Sequence, residues 1–216
     1  GVILDRLVER PEASLPQAMA SWAETKATYR FLNSEKVTPD DIRASHFEST
    51  VHKATRQSRV LLVQDTSPLD FTDHKETTGL GYLDRRYIKG LLMHTTLCCT
   101  DEGVPLGLLD QQVWIRDLKD LGKKQQRKQR PFADKESAKW VRALHGSLDL
   151  LPEGISTITI ADREADIFEL FRAPRPAKAD LLIRACRERR IQCKAEVDHL
   201  WPVMLKSPVR GKITVE

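Results

Sequence analysis

The chain has 216 residues, enough for one large domain, and its 40% hydrophobic and 31% charged content is ordinary for a soluble protein with a buried core. No apolar run approaches the roughly 20 residues that a membrane span needs, and the N-terminus has no signal-peptide pattern, so we expect no membrane association and a cytoplasmic location. The net charge of +4 permits nucleic acid as a partner but does not require it.

The first part of the sequence predicts helices. Residues 2–10 (VILDRLVER) read as one helix, and residues 15–32 place apolar side chains near helical spacing. Thr38 followed by Pro39 predicts an N-cap and first turn of a further helix that runs towards residue 55. We therefore expect an N-terminal helical segment over residues 1–57.

The middle of the sequence predicts strands. The branched, apolar run RVLLVQ at residues 59–64 predicts a buried strand that ends at Asp65. Two longer runs, at residues 87–100 and 104–116, are separated by the turn-forming Asp101-Glu-Gly, which predicts a hairpin.

Helices and strands alternate in the last part of the chain. Residues 135–151 predict an amphipathic helix, residues 155–161 a buried strand ending at Asp162, residues 163–172 a short helix and residues 180–186 another strand. Antiparallel strands followed by crossover helices indicate an α/β fold with a mixed sheet over residues 58–206.

Four cysteines, at positions 98, 99, 186 and 193, occur without a C-x-x-C pair. In a reducing compartment this pattern predicts buried free thiols rather than a zinc site or disulfides.

Two aspartates, Asp65 and Asp162, each follow a short, buried strand. If the strands are neighbours, the carboxylates converge, and converging carboxylates remain charged together when a cation lies between them. Hard oxygen ligands suit magnesium or manganese, which assist phosphoryl displacement. The alternative is that each aspartate caps a turn or, for Asp162, the next helix. Asp166, one helical turn after Asp162, is either a ligand of the same metal or an acid that lies on the helix surface or supports the site. We expect His94 to be packed or hydrogen-bonded rather than catalytic.

A basic segment, KDLGKKQQRKQR, occupies residues 119–130. It is interpreted either as a solvated loop or as a loop that contacts DNA phosphates without base specificity. The candidate contacts are Lys123, Lys124, Arg127, Lys128 and Arg130.

Several motifs occur in an order that resembles one family. ADREADI at residues 161–167 resembles the sequence around the second catalytic aspartate of the insertion-sequence-four family of DDE transposases, a family typified by the transposon five transposase. QDTS at residues 64–67 resembles its first catalytic motif, and KESAKW at residues 135–140 its intervening helix. Weaker similarities are YRF at 29–31, GLL at 107–109 with WIR at 114–116, and LIR at 182–184.

This resemblance, which covers residues 17–191, implies a ribonuclease H-like catalytic core. It also implies Mg²⁺, for which Mn²⁺ can substitute, a homodimer bound to double-stranded DNA, and cut-and-paste DNA transposition. In that reaction, endonuclease cleavage at the ends of a mobile element passes through a hairpin intermediate and precedes strand transfer. By position, Asp65 and Asp162 would be catalytic metal ligands and Arg184 a DNA contact. The implied location is the bacterial cytoplasm, at the nucleoid during the reaction.

The family's third catalytic acid lies beyond a β-strand insertion, and residues 207–216 read as the start of that insertion. We therefore expect a fragment that is inactive alone, with the family's N-terminal DNA-end-binding region largely absent. Two alternatives stay open. One is a remnant that binds DNA or dimerises without cutting, and the other is a metal-dependent nuclease of the same fold without strand transfer.

Overall fold

The computed structural model describes residues 1–123, 129–193 and 196–211, and the side chains of residues 193 and 196 are outside the description. The chain forms two compact units, Gly1–Thr50 and Val51–Glu216. None of the helices in the described part of the chain has the length and apolar character needed to span a membrane.

The first unit is helical, as predicted, but it has an additional break. Its helices are α1 (Val2–Glu9), α2 (Leu15–Ala18), α3 (Trp22–Leu32) and most of α4 (Pro39–Ala54). The single helix predicted over residues 15–32 is wrong because Ser21 begins a new helix, accepting a hydrogen bond from Glu24 N at 3.2 Å. The predicted cap of α4 is confirmed, since Thr38 Oγ1 accepts from Asp41 N at 3.2 Å.

The second unit is built around a mixed sheet, as predicted. Its strands are β1 (Arg59–Asp70), β2 (Gly81–Tyr82), β3 (Lys89–Thr100), β4 (Pro105–Trp114), β5 (Ser156–Ala161) and β6 (Ala179–Ile183). The sheet order is β2-β3-β1-β5-β6, and β4 also pairs with β3. β3 is antiparallel to β1 and β4, whereas β5 is parallel to β1 and β6, so the predicted hairpin and the two predicted crossovers are all present.

Helices cover one face of this sheet. They are α5 (Ala138–Leu150) and α6 (Phe168–Arg172), which is preceded by a 3₁₀ turn at Arg163–Ala165. Trp140 and Leu144 of α5 pack against Ala161, while Leu148 also contacts a second cluster that contains Val60 and Leu62. The continuous helix predicted over residues 163–172 is therefore divided in two. On the opposite sheet face, the apolar side chains of β1 and β5 are only partly buried.

The C-terminal part contains elements that the sequence did not predict. β7 (Arg190–Cys193) and β8 (Glu196–His199) pair antiparallel as a separate two-stranded sheet, and α7 (Leu200–Lys206) follows. Residues 207–211 form no helix or strand, and the rest of the predicted β-strand insertion lies outside the described residues.

The cysteine prediction is confirmed in part. Cys98 and Cys99 are buried free thiols, and burial, together with the neighbouring Cys99, raises the pKa of Cys98 to about 12. Cys186 is also free but exposed, because it follows the end of β6 rather than lying within a strand.

Candidate active site

The two predicted aspartates occupy equivalent positions on neighbouring parallel strands. Gln64 of β1 is the register partner of Ala161 of β5, and Asp65 and Asp162 are the next residues along each chain. Neighbouring strands lie about 4.8 Å apart, so the two carboxylates leave the same edge of the sheet at close range. Both residues are exposed, whereas their register-paired predecessors are buried beneath the helices.

The position of Asp65 within its strand corrects the prediction. β1 continues for five residues beyond Asp65, to Asp70, because the antiparallel partner β3 extends as far as Gly90. The parallel partner β5, in contrast, ends at Ala161. Asp65 therefore lies where β1 loses its neighbour on one side.

Asp162 both ends β5 and begins the next turn. Its Oδ1 accepts a hydrogen bond from Glu164 N at 2.8 Å, so the capping interpretation of this residue is correct. The second carboxylate oxygen of Asp162 and both carboxylate oxygens of Asp65 have no hydrogen bond within the described part of the chain. Capping by Asp162 thus fixes one oxygen and leaves another available as a ligand.

Arg184 extends this row onto a third strand. Ala161 is the register partner of Ile183 in β6, and Arg184 follows directly, with its N–H donating to Ala161 O at 3.1 Å. Its side chain is exposed. Two acids and one arginine therefore occupy matching positions on three adjacent parallel strands, at the level where β5 and β6 end, and open α/β sheets bind ligands beyond such strand ends.

His94 supports the Asp65 segment from the buried face of the sheet. Its Nδ1 lies 2.8 Å from Thr66 Oγ1 and its Nε2 lies 3.4 Å from Gln64 Oε1, so it bridges the two residues that flank Asp65. The imidazole ring meets the Trp140 ring edge-on, with centroids 4.6 Å apart. Burial, followed by the positive charges of Lys139 and Arg142, lowers the pKa of His94 to about 4. The residue is thus packed and neutral, as expected.

The burial of His94 predicts how stability depends on pH. Because its pKa is about 4 when folded and about 6.5 when unfolded, the unfolded chain binds a proton first as the pH falls. The contribution of neutral His94 to the free energy of unfolding is fully present above pH 6.5. It falls by about 3 kcal/mol between pH 6.5 and pH 4 and changes little at lower pH. Urea unfolding of His94→Gln should show a shallower loss over this range than the wild type, whereas the exposed-site control His74→Gln should follow the wild type. Parallel curves for wild type and His94→Gln would contradict this assignment.

Lys139 is a buried cation that was not among the predicted site residues. Its side chain is 5% exposed, and its Nζ lies 3.6 Å from Glu164 Oε2, in the turn after Asp162. The same ammonium group lies over the rings of Trp114 and Trp140, at 5.5 and 5.3 Å from their centroids. Lys139 therefore joins α5 to the turn that begins at Asp162. Its helical spacing from Ala138 and Val141 gave no sign of this role.

Asp166 is engaged in a different way from the other two acids. It is 1% exposed, and its carboxylate accepts hydrogen bonds from the backbone N–H groups of Cys186 and Arg187 and from the Arg189 side chain. Because these donors occupy its carboxylate, the structure gives no support to Asp166 as a metal ligand and supports the alternative of a supporting acid.

The N-terminal helices match a known protein-family model. Residues 1–37 match the family model described as transposase DNA-binding. This match supports a transposase and supports DNA as its partner, without indicating which transposase family the chain comes from. No curated protein sequence matches the chain.

The match changes one expectation about DNA binding. We expected the N-terminal DNA-end-binding region of the resembled family to be largely absent, but residues 1–37 match a transposase DNA-binding model. These residues contain α1, α2 and α3, whose start at Ser21 is capped as described above. DNA contacts by the chain thus need not depend on the second unit alone.

The basic segment proposed to contact DNA is described only in part. Lys124, Arg127 and Lys128 lie outside the described residues. Lys123 is exposed, and Arg130 Nη2 donates to Asp120 Oδ1 at 2.8 Å. Part of the positive charge of Arg130 is therefore balanced within the chain, and contact of this segment with DNA stays a prediction.

Two carboxylates alone make an incomplete metal site. Over residues 1–123, 129–193 and 196–211, no three histidine, cysteine, aspartate or glutamate side chains are grouped so that they could hold a metal ion. Asp65 and Asp162 nevertheless fit a hard cation, because both are exposed on adjacent strands and each retains an unbonded carboxylate oxygen. The pair suits Mg²⁺ or Mn²⁺ with further oxygen ligands from outside this cluster.

Proposed function

We propose that the protein is a DDE transposase of the insertion-sequence-four family with a ribonuclease H-like core. The observation that carries the proposal is the alignment of Asp65, Asp162 and Arg184 at matching positions on three adjacent parallel strands. The match of residues 1–37 to a transposase DNA-binding model independently supports the coarser part of this proposal, a transposase that binds DNA. The mixed sheet, with a hairpin before two helical crossovers, agrees with the implied fold.

The proposed roles of the site residues follow from their charges. The carboxylates of Asp65 and Asp162 would hold Mg²⁺ or Mn²⁺, and Arg184 would contact a DNA phosphate beside them. The bound metal ions would activate the attacking water or hydroxyl and stabilise the leaving oxygen of the phosphodiester. His94, through Gln64 and Thr66, keeps the Asp65 segment in place, and Lys139 does the same for the turn after Asp162.

The proposed reaction needs components beyond the described residues. A third acid would complete the metal site in the full transposase, and the 216-residue chain would bind metal without cutting DNA. Two transposase copies would act together on the paired ends of the element. Cleavage of those ends followed by strand transfer to target DNA would make the reaction cut-and-paste transposition.

Metal binding by the chain itself tests the proposed site. Mn²⁺ titration followed by electron paramagnetic resonance should reveal weak binding that falls at least about tenfold in Asp65→Asn or Asp162→Asn, because each variant loses a charged ligand. Asp180→Asn is the matched control, because Asp180 is an exposed acid of the same sheet, paired with Ile158 near the start of β6 and at the opposite end of that strand from Arg184. Equal Mn²⁺ affinity in all variants would place the metal elsewhere and remove the main support for the proposal.

A further inference from the structure

A short segment rich in arginine follows the strand that carries Arg184. Residues 184–189 have the sequence RACRER and connect the end of β6 to the start of β7. We call this segment the arginine loop. It has three arginines and one acid, and its first residue lies next to Asp162 in the row of strand ends.

Asp166 holds the arginine loop at several points. Its Oδ2 accepts from the N–H groups of Cys186 and Arg187, both at 2.8 Å. Its Oδ1 accepts from Arg189 Nε at 3.0 Å and also from Arg189 Nη2, which in addition donates to Asp166 O at 2.8 Å. The Arg189 guanidinium group lies over the Phe171 ring, 5.0 Å from its centroid. One buried carboxylate therefore fixes both the backbone and a side chain of the loop.

The charge on Asp166 is stable at neutral pH. Burial raises the pKa of this carboxyl, but the hydrogen bonds from Cys186 N–H, Arg189 and Arg187 N–H outweigh burial and bring the pKa to about 2. A charged, hydrogen-bonded carboxylate is a strong acceptor. The loop is therefore held by charge-assisted bonds at neutral pH.

The bonds to Asp166 leave two arginines of the loop available. The side chains of Arg184 and Arg187 are exposed, and neither has a hydrogen-bonding or ionic partner among the residues that the structure describes. Arg187 takes part in these hydrogen bonds only through its backbone N–H, which fixes its main chain, and the residue is exposed. Arg189, in contrast, is used within the protein.

We propose that Asp166 is a positioning residue that presents Arg184 and Arg187 as a pair of phosphate contacts beside the two catalytic aspartates. The ligand is the backbone of a DNA strand on either side of the phosphodiester to be cut. Guanidinium groups bind phosphate oxygens in a forked geometry, and a fixed loop lowers the entropy lost on binding. The inference rests on the proposed function, and it adds Arg187 as a DNA contact and Asp166 as the residue that orders the loop.

Salt dependence of DNA binding distinguishes this role from a general effect on folding. Each phosphate contact that is lost reduces the slope of log affinity against log salt by about 0.9. The probe is a short, fluorescein-labelled duplex DNA without metal, measured by anisotropy over a range of KCl concentrations with the 216-residue chain. Arg187→Ala should reduce the slope by about one contact, and Asp166→Asn by about one to two contacts. The variant that combines Asp166→Asn with Arg187→Ala should have the same salt slope as Asp166→Asn alone, because Asp166 acts through the arginines.

Controls separate the possible outcomes. Arg172→Ala, which removes an exposed arginine at the end of α6, should keep the wild-type slope. If Asp166→Asn does not fold, Arg189→Lys tests the same bonds, since it keeps the charge but loses the forked contact. Wild-type slopes in the Arg187→Ala and folded Asp166 or Arg189 variants would overturn the inference while leaving the proposed function intact. A wild-type chain that binds no duplex would instead count against the proposed function itself.

Discussion

Replacement of Asp65 or Asp162 by asparagine in the complete transposase should lower the rate of transposon-end cleavage by at least about a thousandfold. In the proposed site, metal ions held by this pair would contribute several kcal/mol to transition-state stabilisation, and about 4 kcal/mol corresponds to a thousandfold change in rate. The two residues lie at equivalent positions on β1 and β5, so loss of either should have a similar effect. Asparagine keeps the shape of the side chain and, at position 162, an oxygen that can cap the following turn.

Asp65→Asn and Asp162→Asn should lose DNA cleavage but keep DNA binding. Removing a negative charge near the DNA backbone should leave duplex affinity unchanged or slightly higher, so gel-shift binding should persist when cleavage of a substrate with transposon ends is lost. Asp180→Asn should cleave at the wild-type rate because Asp180 lies near the start of β6, at the opposite end of that strand from Arg184. Cleavage by Asp65→Asn or Asp162→Asn within a few-fold of the wild-type rate would exclude these aspartates as the metal ligands.

The sequence predicted the sheet well because its strands are strongly patterned. The runs at β1, β3, β4 and β5 are rich in branched apolar residues, and the turn at Asp101 separates the hairpin strands. The two aspartates were found because each follows such a run. Their adjacency, however, depends on the pairing of Gln64 with Ala161, which is a long-range contact that only the structure shows.

Local signals explain two of the errors. Ser21 and Glu24 have the Ser-x-x-Glu spacing of a helix start, which the apolar periodicity of residues 15–32 obscured. The end of β1 was placed too early because TSPLD is polar and contains Pro68. Beyond Gln64, β1 pairs only with β3, so Pro68 can lie in the strand without leaving a broken bond to a second neighbour.

The supporting residues could not be predicted from spacing. Asp166 meets its donors about twenty residues later in the chain, and His94 lies 28 residues from Thr66. Lys139 is a charged residue within an apolar helix face, where its burial depends on two tryptophans from different elements. These contacts follow from the packing of α5 on the sheet, and no local pattern in the sequence records them.

Truncation of Trp140 to alanine should be among the most destabilising single substitutions in the second unit. Its side chain is 1% exposed and belongs to the cluster that joins α5, β5 and α6. Removing a buried aromatic side chain leaves a cavity and typically costs about 3–5 kcal/mol of unfolding free energy. The substitution also removes the ring against which His94 packs and one of the two rings beneath the Lys139 ammonium group.

Urea unfolding followed by circular dichroism measures this effect. Trp201→Ala is the control within the same unit, because Trp201 lies in α7 and is 39% exposed, and its loss should cost clearly less. Similar midpoints for the two variants would contradict the assignment of Trp140 to the core. The packing also links the core to the proposed metal site, since Trp140 supports His94, and His94 holds Gln64 and Thr66 on either side of Asp65. Under conditions where Trp140→Ala is still folded, its Mn²⁺ affinity should therefore fall, whereas that of Trp201→Ala should not.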